Sequence, residues 1–438
     1  MEGVRKPLVN LVLLGEAGHG KSTLMGRLLY ELGEVSEDAV ARMMALAKRL
    51  GDEGRYLAFL VDTKLEERRQ GHTIEASSWR PVDVGPLAIR MIDVPGVLDW
   101  VNNTITGVAQ ADAGLLVVDA REVAEKKPGA LEGLREHLAL ALAFGLEQLI
   151  VAVNKMDLVG YEELFFEVAK SAVGQLMEQL GLRPTSGTLF VPISALNGAN
   201  VLERASQMDW YDGPALYEAL QRLKEPKRPV RKPLRMPIYR FFERSNVAAG
   251  VVSSGVVAEG DEVIVAPAGA RGQVLSLESW GQRLESAGPG LDVGVRLRGV
   301  ARYQVKKGFV IGHPDEAPRA AERLVARLRI LDPEGLWAGF CPIVYCHQAR
   351  APCRIEAILN KLDPGTGDVL EEGPRELSFG EVGDVILRPL VPRARGLVVE
   401  RYDELPAMSR LALRASRGSR RGAFTIAAGI CLEVEPHG

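Results

Sequence analysis

The first half of the chain alternates short, wholly apolar runs with longer stretches of helical periodicity. The run Leu8-Val9-Asn10-Leu11-Val12-Leu13-Leu14 opens the series, and Leu87 to Ile92, Gly114 to Val118, Leu149 to Val153 and Phe190 to Ile193 continue it. Runs that are apolar without a two-residue alternation predict strands covered on both faces. Between them, Leu24 to about Leu50 and two later stretches carry apolar residues at helical spacing, and Ala45 to Gln70 continues as charged, helix-prone sequence. Strands alternating with helices predict an α/β domain with a mostly parallel sheet, helices on both faces and ligand chemistry at the carboxyl ends of the strands. Beyond Arg222 the alternation stops. The stretch RLKEPKRPVRKP is basic and holds three prolines, the composition of a solvated linker. Short β-rich runs with Gly-rich turns follow, and their spacing fits two antiparallel β-barrels of about 90 and about 115 residues. The predicted division is a nucleotide-binding domain over 1–225, a linker over 226–234, and barrels over 235–319 and 320–438.

Composition changes this picture little. The chain has 438 residues and a net charge of −3, so no global charge demands nucleic acid and any basic surface is local. No run approaches the length of a membrane span, and Met1 to Lys6 is not followed by a signal-peptide core. The expectation is a cytoplasmic monomer without a membrane. Cys341, Cys346, Cys353 and Cys431 lack CxxC spacing and a histidine set, so they are expected as reduced thiols packed in strands, with His347 beside Cys346 by coincidence.

Chemistry sits at the strand ends. After the first strand comes GEAGHGKS, Gly15 to Ser22, then a helical pattern: a phosphate-binding P-loop in its proper context. Gly15, Gly18, His19 and Gly20 let backbone N–H groups curl round phosphates, Lys21 reaches the β- and γ-phosphates, and Ser22, next to Thr23, offers a hydroxyl to Mg²⁺. Asp93-Val94-Pro95-Gly96 follows another strand; Asp93 suits Mg²⁺ through water, and the Gly96 N–H suits the γ-phosphate. Thr73 reaches Mg²⁺ only when that phosphate is present, which makes its segment an order–disorder switch. Asn154-Lys155-Met156-Asp157 ends the Leu149 strand: Asp157 matches the N1 and N2 donors of guanine, and Asn154 and Lys155 frame the base. Backbone at Ser194-Ala195-Leu196 is placed to meet the guanine O6. Four motifs in order, each after a strand, make a guanine-nucleotide domain with GTP/GDP and Mg²⁺ as ligands.

On the stretches GRLLYELG, EERRQGHTIE, TITGVAQADAGLLVVDA, QLIVAVNKMD, VPISALNGANV, KPLRMPIYR and APCRIEAILNKLDPGTGDVLEE, the chain resembles translational GTPases of the archaeal and eukaryotic elongation factor 1-alpha class, as a divergent paralogue. The resemblance implies a GTPase domain with two barrels, GTP-dependent closure, and delivery of tRNA or a tRNA-shaped protein to the ribosome, with an exchange factor as a further partner. The departures bear on function. The family's water-positioning His after Asp-x-Pro-Gly corresponds to Val97, which cannot polarise water, so hydrolysis is expected to lose a factor of roughly 10²–10⁴. The family's P-loop Asp corresponds to Gly18, and two apolar gate residues correspond to Ala17 and His72. His72, beside Thr73, is a candidate to supply a catalytic imidazole from the other side. The family's Lys-Asn pair near the tRNA 5′ end corresponds to Asn102-Asn103. Its Gly-Arg-Val-Glu element for the terminal adenosine corresponds to Gly250-Val251-Val252-Ser253. Arg410, Arg414 and Arg417 keep the spacing of the family's backbone-contacting arginines, with Arg420 and Arg421 adding charge. The expected function is a GTP-switched carrier with weakened hydrolysis, whose cargo is a release-factor-like or Pelota-like protein, or tRNA. The alternatives are an ordinary aminoacyl-tRNA elongation factor and a non-hydrolysing module that binds the ribosome.

Overall fold

The computed structural model describes residues 6–125, 130–182, 187–416 and 422–437. The chain forms two compact units, one ending at Pro226 and the other running from Lys227 onward, with Ala143–Gly145 grouped with the second.

The first unit runs β1 (Leu8–Leu14), α1 (Lys21–Glu31), α2 (Glu37–Leu50), α3 (Leu65–Gln70), β2 (Ser77–Ser78), β3 (Val82–Val84), β4 (Leu87–Asp93), α4 (Val101–Val108), β5 (Ala113–Asp119), α5 (Ala120–Ala124), α6 (Ala130–Ala143), β6 (Leu149–Asn154), α7 (Glu163–Leu180), β7 (Leu189–Pro192) and α8 (Leu216–Gln221). The strands β4-β1-β5-β6-β7 are parallel neighbours in that order, and β2 and β3 pair antiparallel with β4 at the edge. The chain leaves β1 on one side for β4 and on the other for β5, so the crevice at the carboxyl end of β1 is the switch point where an open α/β sheet binds ligands. Every residue of β5 and β6 is buried, as continuous apolar runs require.

The charged stretch after α2 is not one long helix. Ser36 caps the start of α2 by accepting the Ala39 N–H at 3.3 Å, and Gly51 ends it in the left-handed conformation at φ 74°. Residues 53–64 then fold as two single 3₁₀ turns and a short connection before α3, because Leu57, Ala58, Phe59 and Val61 are buried against α1 rather than spaced along a helix face. Gly26 of α1 makes this contact: a Cβ there would lie 2.1 Å from the Leu57 carbonyl oxygen.

The second unit holds two six-stranded antiparallel barrels. In the first, strands Glu262–Ala266, Val310–Gly312, Met236–Phe242, Val247–Val251, Asp292–Arg298 and Ala270–Ser279 are neighbours in that order, and the last pairs back to the first. In the second, Ile343–Cys346, Arg410–Ala415, Phe424–Pro436, Ala321–Ile330, Val382–Pro389 and Ala349–Leu362 close in the same way. Closure removes the exposed edges that short strands would otherwise present. Cys346, Cys353 and Cys431 are free thiols buried in strands of the second barrel, as expected, whereas Cys341 is exposed outside any strand. The basic segment is not wholly a solvated tether: Pro229 accepts the Gly255 N–H at 3.0 Å, which lays its second half on the first barrel. Among the described residues, no helix is long and apolar enough to cross a membrane.

In an exposed helix, alanine for glycine gains about 1 kcal/mol of helix propensity. At Gly26 the clash with Leu57 should reverse that sign, so Gly26→Ala is expected to destabilise the protein by about 1–3 kcal/mol. A thermal melt checks it, and a variant as stable as the parent would contradict the close approach of α1 to Leu57.

Candidate functional site

A cavity of about 370 Å³ opens at the carboxyl ends of β1, β4 and β6. Its phosphate end is formed by Ala17, Gly18, Gly20, Lys21, Ser22 and Thr23 with Gly96, and its far end by Asn154, Lys155, Asp157, Leu158, Ala195 and Leu196. Arg55, Ala58, His72 and Thr73 close a third side. The sequence motifs therefore meet at one place.

The P-loop turns through Gly18 and Gly20, at φ 85° and 95°, directly into α1. Both conformations lie in the left-handed region, and at Gly20 a Cβ would also sit 2.4 Å from the Asn154 amide nitrogen. Lys21 is buried; its Nζ donates to the carbonyls of Gly15 at 2.8 Å and Glu16 at 3.0 Å. Burial lowers its pKa to about 8 against the pull of the Asp93, Glu16 and Asp62 carboxylates. Gly96 packs on this loop, since a Cβ on it would lie 2.4 Å from both Lys21 Nζ and the Ala17 nitrogen.

Beside the lysine, oxygen atoms converge. Ser22 Oγ donates to Asp93 Oδ2 at 2.6 Å and lies 3.0 Å from Thr73 Oγ1, and Thr73 Oγ1 is 3.0 Å from Asp62 Oδ1 and 3.4 Å from Asp93 Oδ2. Asp93 Oδ1 is buried without a hydrogen-bond partner among the described residues. Burial first, then the neighbouring Asp93 charge, raises the Asp62 pKa to about 7, and burial likewise pushes Asp93 up. Hydroxyls and carboxylates gathered in this way are the hard-oxygen donor set of Mg²⁺. Ser22 and Thr73, with Asp93 through water, would hold it, and the ion would neutralise phosphate charge there.

Several sequence assignments are corrected in detail. Gly15 does not line the cavity; it is glycine because a Cβ would meet the Val117 carbonyl oxygen at 2.2 Å. The His19 ring points away from the cavity, its Nδ1 3.3 Å from the Val117 oxygen and its Nε2 3.4 Å from Glu122. Asn154 braces the site rather than facing a base, donating to the His19 carbonyl at 2.8 Å and accepting the Ala195 N–H at 2.9 Å. Lys155 pairs with buried Asp119 at 2.7 Å. Ser194 is fully buried, and its hydroxyl accepts the Asn197 N–H at 3.3 Å. Val97 is absent from the cavity wall, whereas His72 is part of it, with Nδ1 3.2 Å from the Gln70 oxygen. Arg414 is buried within the second barrel; its guanidinium donates to Thr425 Oγ1 at 3.2 Å and to the Ala423 carbonyl, so it presents no charge to a phosphate backbone. Arg410 lies half-buried with its guanidinium 5.4 Å from the Tyr402 ring. Arg417, Arg420 and Arg421 lie outside the described residues.

Three residues were missed by sequence reasoning. Asp62 joins the oxygen cluster. Glu67, buried in α3, accepts the N–H groups of Ile74 at 3.0 Å and Glu75 at 3.2 Å, pinning the backbone after Thr73. Arg27 donates to the carbonyls of Ala195 at 3.0 Å and of Leu196. For Asp62 and Glu67 the only local signal was the density of charge between 52 and 70, which reads as charged, helix-prone sequence.

A P-loop, an Asp-x-x-Gly turn, an Asn-Lys-x-Asp strand end and two trailing barrels define a translational GTPase. The comparisons agree. Residues 6–226 match the Elongation factor Tu GTP binding domain family, and residues 323–432 match the GTP-eEF1A C-terminal domain-like family. Elongation factor 1-alpha of Pyrobaculum aerophilum is 40% identical over 444 aligned residues, covering 99% of this chain and 96% of that protein. The protein of the same name from Saccharolobus solfataricus is 39% identical, covering 99% and 98%. Among solved structures, the Saccharomyces cerevisiae Ski7 GTPase-like domain bound to GTP superposes with a TM-score of 0.78 at 16% identity, covering 98% of this chain and 97% of that one. The elongation factor SelB of Methanococcus maripaludis with the GTP analogue GppNHp gives 0.69 at 17%, covering 99% and 81%. At these identities the structures speak for the fold alone. The chain belongs to the elongation factor 1-alpha family of GTP-binding translation factors, whose ligands are GTP or GDP and Mg²⁺.

Burial lowers the pKa of His19 to about 4 and of His137 to about 3 from 6.5, with the Lys21 charge as the next cause in each. Between those values and 6.5 the unfolded chain binds protons that the folded one refuses. Each imidazole therefore removes stability as pH falls from 6.5, at up to about 1.4 kcal/mol per pH unit. Asp62, held near 7, acts in the opposite sense below that pH because its folded form takes up the proton first. Imidazole ¹⁵N shifts in the nucleotide-free protein should show both histidines neutral from pH 8 to pH 5; a titration midpoint above pH 6 for either would contradict their burial.

Proposed function

We propose that this protein is a GTP-switched carrier of the elongation factor 1-alpha family that hydrolyses GTP slowly and delivers a tRNA-shaped protein, of the release-factor or Pelota kind, to the ribosome. The observation that carries the reading is the split between the two halves of the machinery. The groups that would bind and neutralise the nucleotide, Lys21, Ser22, Thr73, Asp93 and Asp157, are assembled, whereas Val97 supplies no water-orienting group.

The cargo residues support the same reading. Val251 and Ser253 carry neither the cation nor the carboxylate that would grip a terminal adenosine, and Val252 is buried in the first barrel. Asn103 gives its amide to the Ile74 carbonyl at 2.7 Å instead of presenting a cation. Of the family-spaced arginines, Arg414 is buried within the second barrel, which leaves Arg410 as the one among the described residues that is partly exposed. A cytoplasmic setting, an exchange factor and action on the ribosome go with this function. The domain limits 1–225, 235–319 and 320–438 are proposed as its working parts.

One observation favours a modified reading of the catalysis. His72 is the one imidazole among the described residues of the cavity wall, and a proton on Nδ1 directed to Gln70 leaves Nε2 as an acceptor. His72 is therefore proposed as the residual water-facing group. Single-turnover hydrolysis should rise about 10-fold or more in Val97→His, within the range of a positioned acid–base group. It should fall in His72→Ala. An unchanged rate in both would show that chemistry is limited elsewhere, with Gly18 and Ala17 as the remaining departures.

Cargo is tested by spontaneous deacylation of aminoacyl-tRNA with the GTP-loaded protein. No protection of the ester at micromolar protein is expected. Protection would mean that the aminoacyl pocket survives in altered form and that the chain is an ordinary elongation factor.

A further inference from the structure

The turn Asp93-Val94-Pro95-Gly96 is held by two side chains from outside it. Thr104, on α4 and fully buried, donates its hydroxyl to the Pro95 carbonyl at 2.8 Å. His137, on α6 and also buried, bonds the next carbonyl, that of Gly96, with an imidazole that burial keeps neutral. One contact fixes the peptide before Gly96 and the other the peptide after it, so both rotatable bonds of the turn's most flexible residue are restrained.

The Thr104 contact has a directional consequence. The Pro95–Gly96 peptide is trans, and in a planar trans peptide the C=O and N–H point in opposite directions. Drawing the Pro95 carbonyl toward α4 therefore turns the Gly96 N–H away from α4. Gly96 meanwhile touches the P-loop at Ala17 and Lys21, in the wall of the nucleotide cavity. The neighbouring residue of the same helix, Asn103, holds the carbonyl of Ile74, next to Thr73. One turn of α4 thus grips both segments that flank the phosphate end of the cavity.

We propose that Thr104 is a positioning residue for γ-phosphate recognition: its hydroxyl presets the Pro95–Gly96 peptide so that the Gly96 N–H faces the third phosphate, and Asn103 beside it makes α4 the link to the Thr73 segment. The role rests on the nucleotide-switch reading above. It favours triphosphate over diphosphate, since a diphosphate leaves the aimed N–H without its partner. Loss of the hydroxyl frees the peptide to rotate and orphans a buried carbonyl at once.

The test is equilibrium binding of GDP and GppNHp, with Mg²⁺, to the full chain and to Thr104→Val and Thr104→Ser. Valine keeps the shape of threonine without the donor, and serine keeps the donor. Thr104→Val should weaken GppNHp about 5- to 20-fold while GDP stays within about twofold, the size expected for one lost hydrogen bond with a buried partner. Thr104→Ser should return GppNHp to within about threefold of the parent. Equal weakening of both nucleotides in Thr104→Val, or a serine variant that behaves like valine, would overturn the role. If valine prevents folding, Thr104→Ala is read against serine in the same way. A parent protein that does not distinguish GppNHp from GDP would overturn the switch reading itself. A parent that discriminates, with a valine variant that discriminates equally, would overturn only Thr104.

Discussion

Two carboxylates, Asp62 and Asp93, converge on the Thr73 hydroxyl in a pocket nearly sealed from water, and the cost of burying their charges is the constraint on which the phosphate end of the site depends. Neither charge is comfortable there, which is why both carboxyls are pushed toward the protonated form. A divalent cation held there beside a phosphate would offset that cost and give the Thr73 and Gly96 segments a common anchor. Much of the surrounding structure serves to hold these acids in place. Gly26 lets the backbone at Leu57 come close to α1, Arg55 reaches Asp62 at 3.1 Å, and Glu67 gathers the amides that follow Thr73. The phosphate end of the site is thus an electrostatic arrangement of buried acids held in place by packing and by the Arg55 and Glu67 contacts.

The motifs were legible because their chemistry is local. A P-loop is a turn between one strand and one helix, and Asp-x-x-Gly is a turn after another, so spacing along the chain is close to spacing in space. Parallel strands then bring these turns to one edge without further information. The barrels were legible as a count of short strands, although not their order, since closure depends on pairs such as Glu262–Ala266 with Ala270–Ser279 and Ile343–Cys346 with Ala349–Leu362. What escaped depends on contacts between distant parts of the chain. Nothing in the sequence says that Asn154 ties His19 to Ala195, or that Arg414 turns inward to Thr425. A charged residue in a charged stretch also looks solvated, so the burial of Asp62 and Glu67 shows only once the 3₁₀ turns and α3 are in place.

The second unit applies the same physics to a different end. Its two barrels share a small apolar cluster of Ala266, Val310, Val398, Leu405 and Met408. Arg235 crosses beside it, nearly buried, donating to the carbonyls of Leu234 and Glu316 at 2.9 Å and pairing with Glu400. A buried guanidinium is tolerated only when its donors are used, so separating the barrels would leave a charge stranded in a dry interface. Gly308 adds a steric condition, because a Cβ there would press on Ala349 at 2.8 Å. The two barrels are therefore held to each other by both a buried charge and a close backbone approach.

Binding and catalysis make separable demands on such a site. Affinity for the nucleotide would come from groups that meet it in the ground state: the loop amides, Lys21, a cation held by oxygen ligands, and Asp157 at the base. Rate comes from what is stronger in the transition state, and for hydrolysis that includes the group that orients the attacking water. On the function proposed above, Val97 in place of that group would remove the second contribution and leave the first. A carrier of the proposed kind would keep its GTP-bound form for longer, because nothing in that loss would loosen Thr73 or Gly96 from the phosphate. Its working interval would then be set by release and by outside acceleration rather than by its own chemistry, which would make the nucleotide first a structural element and only then a substrate.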